Sequence, residues 1–183
     1  MSEPDITAML EQARQGDADA AQRVYAAVYE ELKRIALAQR GRWQGNDTLN
    51  PTALLNEAFI RLSGQDAAFS NRTHFYATAS RAMRHVLVNY AEQRNAAKRG
   101  GKAPHLPLEE LSLIDDASAE ELLTLHTLLE ALEMEEPRRA RVVECRVFGG
   151  MSVSQTAQAL SISPATVKRE WQLASVALYR ALD

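Results

Sequence analysis

Between residues 72 and 102 the chain places Arg72, Arg81, Arg84, Arg94, Lys98, Arg99 and Lys102 against Glu92 alone, a local charge of +6. A second basic block, 137–183, carries seven Lys and Arg side chains against three acids. Ammonium and guanidinium groups clustered in this way suit a polyanion, to which they offer charge and forked hydrogen bonds. The stretch between them, 103–136, holds ten carboxylates and no Lys or Arg. It repels what its neighbours attract. The overall charge of −3 hides this segregation, and the pattern predicts two polyanion-binding modules joined by an acidic connector.

Other chemistry is poorly supplied. Cys145 is the only cysteine, so no internal disulfide forms and nothing points to an oxidising compartment. Paired with His74, His85, His105 or His126 it would be a thiol nucleophile, but a lone Cys on an apolar helix reads as core. No metal-ligand spacing, Gly-rich phosphate loop or acid–base pair appears, so no enzyme, no metal and no cofactor are expected. No run of 18 apolar residues exists and the N-terminus is acidic, so a soluble, cytoplasmic chain with no membrane contact is expected.

The elements that must position the basic groups read as helices. Aromatics are only 6% of the 183 residues, and apolar positions recur at three- and four-residue spacing, which predicts an all-α chain. Val24, Val28, Leu32 and Ile35 form one such stripe, and Gly41 to Asn50 reads as a polar loop. Asn50-Pro51 opens the next helix, because Asn caps well and Pro suits the first helical position. From about Thr73 to Lys98 the pattern is uninterrupted, with Phe75, Ala79, Ala82, Val86 and Tyr90 as the buried stripe. His74, Arg81, Arg84 and His85 fall together on another face. Gly100-Gly101, Pro104 and Pro107 then mark a flexible acidic linker. The expected organisation is a first helical domain over 1–99, a linker over 100–118 and a second helical domain over 119–183.

The second domain ends in a predicted helix-turn-helix. Ser152 to Gln155 is a capping box, and Ser163-Pro164 caps and opens the last helix after the short turn Ser161-Ile-Ser163. Val153, Leu160, Ile162 and Val167 supply the small core between the two helices, and Ala157 permits close crossing. Ser161 stands where such turns usually have Gly for a left-handed backbone. Thr166, Arg169 and Gln172 suit base edges in a major groove, and Lys168 suits a phosphate. Upstream, Phe69-Ser-Asn71-Arg72 combines a ring, an amide and a guanidinium, the means by which single strands are held.

Three segments, Pro51 to Leu62, Phe69 to Arg99 and Arg138 to Leu182, together resemble the extracytoplasmic-function sigma factors of bacterial RNA polymerase. The resemblance implies that the first domain binds the polymerase clamp and melts the −10 element. The second would read the −35 element as duplex and touch the polymerase flap. It places Leu54, Leu55, Asn56, Glu57, Phe59 and Arg61 on the clamp helix. It assigns Phe69, Asn71 and Arg72 to capture of a flipped base, and Arg81, Arg84, His85 and Asn89 to the melted strand, and helical spacing adds His74 to that DNA-binding face. Arg94, Lys98 and Arg99 form the basic end of that helix, and Thr166, Lys168, Arg169 and Gln172 form the recognition helix. His85 stands where the family usually has Asn, and Thr78 where it often has Trp.

The acidic cluster that usually opens the clamp helix is missing, with Thr52 and Ala53 in its place. A phosphate there would restore negative charge at the positive end of the helix dipole. Phosphorylation of Thr52, with Thr48 second, by a Ser/Thr kinase is therefore expected, with an anti-sigma protein as the other route of control. A competing reading is a helix-turn-helix regulator that binds an operator, with the first half as a sensor or dimerisation domain. It leaves the basic face at 72–102 without a purpose.

Overall fold

The computed structural model describes residues 6–42, 51–63, 72–98 and 116–182, and every element among them is helical. They are α1 (Ile6–Arg14), α2 (Ala18–Arg42), α3 (Pro51–Ser63), α4 (Arg72–Lys98), α5 (Asp116–Glu135), α6 (Pro137–Val143), α7 (Val153–Leu160) and α8 (Pro164–Leu182). α6 runs on into a π-helical turn, Glu144–Phe148.

Local chemistry explains the boundaries. Gly16 adopts a positive φ of 96°, and Asp17 then caps α2 by accepting from the Ala20 amide at 3.0 Å. Ser152 and Gln155 form the reciprocal capping box at α7, with both hydrogen bonds present. α7 ends on Ser161 in the left-handed region at φ 53°, ψ 43°. Ser163 accepts from the Thr166 amide at 3.1 Å to start α8.

α4 is the axis of the molecule. It packs against α2 and α3 on one side and against α5, the π turn and α7 on the other. The expected stripe of Phe75, Ala79, Ala82, Val86 and Tyr90 is buried, and so are Tyr76, Met83, Leu87 and Ala91. One apolar core continues from Val28 and Leu32 of α2 through α4 to Leu122 and Leu129 of α5 and Phe148 of the π turn. The halves expected as two domains thus share a core in this state, while residues 99–115, most of the expected linker, lie outside the described residues. A smaller cluster of Val142, Ala157 and Val167, flanked by Val153, Leu160 and Ile162, joins α6, α7 and α8.

The approach of the π turn to α4 is close. A Cβ on Gly149 would lie 2.5 Å from Ser80 Oγ and 2.7 Å from the Cys145 carbonyl oxygen, so the contact requires glycine. Ser80 is fully buried there and donates to the Tyr76 carbonyl at 2.7 Å.

Candidate nucleic-acid interface

The basic face of α4 is met by carboxylates from the other half of the chain. Arg81 Nη2 donates to Glu133 Oε1 of α5 at 2.7 Å, and its Nε lies 4.0 Å from Glu144 Oε1. Arg84, only 1% exposed, is 2.9 Å from Glu144, whose side chain is 8% exposed. The π turn that carries Glu144 sets this carboxylate against α4, as inserted turns of this type often do at functional sites. Burial pulls the Arg84 guanidinium below its ordinary pKa against the attraction of Glu144, and burial pushes the Glu144 carboxyl up. The pair is close but imperfect, since Arg84 Nε and Glu144 Oε1 both lack a hydrogen-bond partner.

His85 packs edge-on against His126 of α5, with ring centroids 6.0 Å apart. Burial, followed by the charges of Arg84 and Arg81, lowers its pKa to about 4, so it is neutral at pH 7. His74, Thr78, Arg81 and His85 line a cleft of about 360 Å³ whose other wall includes Arg141 and Glu144. The head of Arg84, a residue expected on the melted-strand face, is sealed between the halves, because α5 and the π turn pack against α4.

The remaining positions on this helix divide. Arg72 donates to the Tyr76 hydroxyl at 3.2 Å and lies over its ring. Asn89, in the amide orientation that satisfies both neighbours, accepts from Arg61 at 2.8 Å and donates to the His85 carbonyl at 3.3 Å. Arg94 is half-buried, and Lys98 is the last residue of α4. Phe69, Asn71, Arg99 and Thr48 lie outside the described residues.

On α3, Leu54 and Leu55 are wholly buried. They fasten the expected clamp helix to the core. Asn56 is exposed and accepts from the Tyr25 hydroxyl at 2.6 Å. Glu57 accepts from Tyr90 at 2.7 Å and from Arg61 at 3.2 Å, and Phe59 packs edge-on against Tyr25. Ile60, 71% exposed between them, is an apolar surface residue that motif matching missed. Thr52 is exposed in the first turn of α3, which has no acid.

α8 presents Lys168, Arg169 and Gln172 to solvent, with Thr166 partly exposed, while Val167 and Ala174 face inward. Between them Glu170 is buried and accepts from Arg138, Arg139 and Arg169. Sequence reading missed it, although an acid at this position falls on the inward stripe of Val167, Trp171 and Ala174. Cys145 is buried, and burial pushes its thiol up to about 12, so it is no nucleophile. No cluster of metal-ligating side chains occurs among the described residues, and none of their helices is long and apolar enough to cross a membrane.

The model of the ECF sigma factor family matches residues 3–183. The chain belongs to the ECF sigma factor family. No curated protein and no solved structure matches it. This sigma factor is accordingly a transcription-initiation subunit whose partners are core RNA polymerase and promoter DNA. Its helical architecture agrees with that membership, and the basic face of α4 lies in the segment that carried the resemblance.

Proposed function

We propose that this sigma factor is held closed when free and is opened by core polymerase, which parts α4 from α5 and the π turn. In the open form the α4 face of Arg81, Arg84, His85 and Asn89 would take the melted −10 strand. The α7–α8 pair would act as the helix-turn-helix that reads the −35 duplex through Thr166, Lys168, Arg169 and Gln172. The observation that carries the reading is the burial of Arg84 against Glu144. A cation fully covered by an imperfect partner is expensive to bury, which suits a group whose working partner is elsewhere.

A direct test uses a reversible cross-link. Thr73 Oγ1 donates to Gln158 Oε1 at 3.2 Å across the α4–α7 contact. The Thr73→Cys/Gln158→Cys double variant, bridged by a short thiol-specific reagent with a reducible spacer, should be locked in the closed form. Run-off transcription with core polymerase, on promoters selected from a randomised library, should be lost when the variant is bridged and regained on reduction of the spacer. Equal activity in both states sinks the closed-form reading. Failure of the wild type to confer any promoter-specific start favours the operator-binding alternative instead.

The polymerase side of this reading rests on α3. Asn56, Glu57, Ile60 and Arg61 would form the clamp-facing surface, held by Leu54 and Leu55 beneath. Phosphorylation of Thr52 would supply the negative charge that the first turn of α3 lacks. The kinase is the controlling partner under this reading, and an anti-sigma protein is the alternative.

A further inference from the structure

Glu170 lies on the recognition helix, yet its side chain is 3% exposed and all its partners are arginines. Oε1 accepts from Arg138 Nη2 at 3.0 Å and from Arg169 Nη2 at 3.2 Å, and Oε2 accepts from Arg139 Nε at 3.0 Å. Burial alone would raise the carboxyl pKa, but the hydrogen bonds from Arg139, Arg169 and Arg138 outweigh it and hold the group ionised. A bridge fastening α6 to α8 needs one guanidinium, and Arg139, 21% exposed, supplies it. Arg138 and Arg169 keep 55% and 65% of their side chains exposed while hydrogen-bonded to the same oxygen. Each guanidinium has five N–H donors, so one bond to Glu170 leaves most of the fork available. Three cations are thereby concentrated around one covered carboxylate, and among the described residues Glu136 adds a second acid at 3.6 Å from Arg139.

We infer that Glu170 is a positioning residue: it orients Arg169 on the recognition helix and sets Arg138 and Arg139 of α6 as grips for the phosphates of the duplex alongside it. Arg138 and Arg139 lie outside the recognition helix, so the DNA footprint extends from α8 to the start of α6. Phosphate contacts fix the register of a helix in the groove, and a pre-oriented guanidinium loses less freedom on binding than a loose one. The inference rests on the proposed reading of α8 as the duplex-reading helix.

The sign of one substitution decides it. A carboxylate that merely repels DNA should, on Glu170→Gln, give tighter binding and a steeper salt dependence. A positioning carboxylate should do the reverse despite the added positive charge. The experiment is a salt series of holoenzyme binding to a selected promoter with an intact or a scrambled −35 element. Glu170→Gln is expected to weaken binding to the intact element about 10-fold and to flatten the salt slope by about 1–2 units, at roughly 0.9 per phosphate contact. Because Glu170→Gln also loosens α6 from α8, Arg138→Ala serves as the second variant, with an expected slope loss of about one unit on both promoters. Arg138→Lys should restore part of the slope and not the full affinity, since Lys lacks the fork. Tighter binding by Glu170→Gln, or an unchanged slope in Arg138→Ala, overturns the inference and leaves the α8 reading standing if wild type still prefers the intact element. A wild type without that preference overturns both.

Discussion

The Arg84 guanidinium lies 2.9 Å from the Glu144 carboxylate, with both side chains almost wholly buried between α4 and the π turn. A cation in place of that carboxylate would face Arg84 and Arg81 together in a buried site, a repulsion the closed form cannot accommodate. Glu144→Lys should therefore favour the open form, and the free protein should bind a single-stranded −10 oligonucleotide that wild type binds weakly. Glu133→Gln, which frees the more exposed Arg81, should act in the same direction by less, about 1 kcal/mol or below. Fluorescence anisotropy measures both, and unchanged binding in Glu144→Lys would count against a closed free form.

Acidification should weaken the same interface through His85. Its folded pKa of about 4 lies below the ordinary 6.5, so its contribution is fully present above pH 6.5 and is lost as pH falls toward 4. The charges facing it are Arg81 and Arg84 on α4, Arg61 on α3 and His126 on α5. Glu144, whose pKa is raised, works in the opposite sense, because its protonation on acidification favours the folded form. The difference between wild type and His85→Gln isolates the histidine. Between pH 7 and pH 5 wild type should lose about 1 kcal/mol more than the variant, after allowance for screening. Thermal melts at the two pH values check this, and parallel losses would refute it.

If α8 reads the −35 duplex as proposed, Arg169→Ala should relax discrimination at one promoter position at a cost of about 1–3 kcal/mol. Lys168→Ala should weaken binding on all sequences and lower the salt slope by about one unit. Equal losses on every sequence in both variants would remove Arg169 from the base edge.

Phosphorylation of Thr52 should raise polymerase affinity, since the first turn of α3 offers no acid of its own. Kinase-treated wild type should be retained by core polymerase and Thr52→Ala should not respond to the kinase. Full activity of the unmodified protein, unaltered in Thr52→Ala, would refute this control.

Ser161 holds a left-handed backbone at φ 53° without being glycine. Ser161→Gly should stabilise the chain by about 0.5–1 kcal/mol, and Ser161→Val should destabilise it, because a β-branched side chain crowds that conformation. Chemical denaturation measures the two, and a destabilised Ser161→Gly would place the turn's stability elsewhere.

Much of the architecture was legible in the chain itself. The stripes Val24, Val28, Leu32, Ile35 and Phe75, Ala79, Val86, Tyr90 are buried as their spacing required, because a helix repeats its faces every three to four residues. The caps at Ser152 and Ser163 and the left-handed Ser161 are equally local, set by side chains that bond their own backbone within three residues or by the turn they occupy. The segregation of charge and the order of the motifs likewise point to a nucleic-acid partner, since both are properties of the chain and not of its packing. Tertiary structure alone decided what covers each second face. Periodicity separates Arg84 from the apolar stripe, but only the docking of α5 and the π turn seals it against Glu144. Leu54 and Leu55 share a motif with Asn56 and Glu57, yet packing against α2 and α4 takes the leucines inward and leaves Asn56 out. Glu170 meets Arg138 and Arg139 only because α6 and α8 cross there. Ion pairs between segments distant in sequence depend on how helices stack, and side-chain spacing within one helix carries no record of its neighbours.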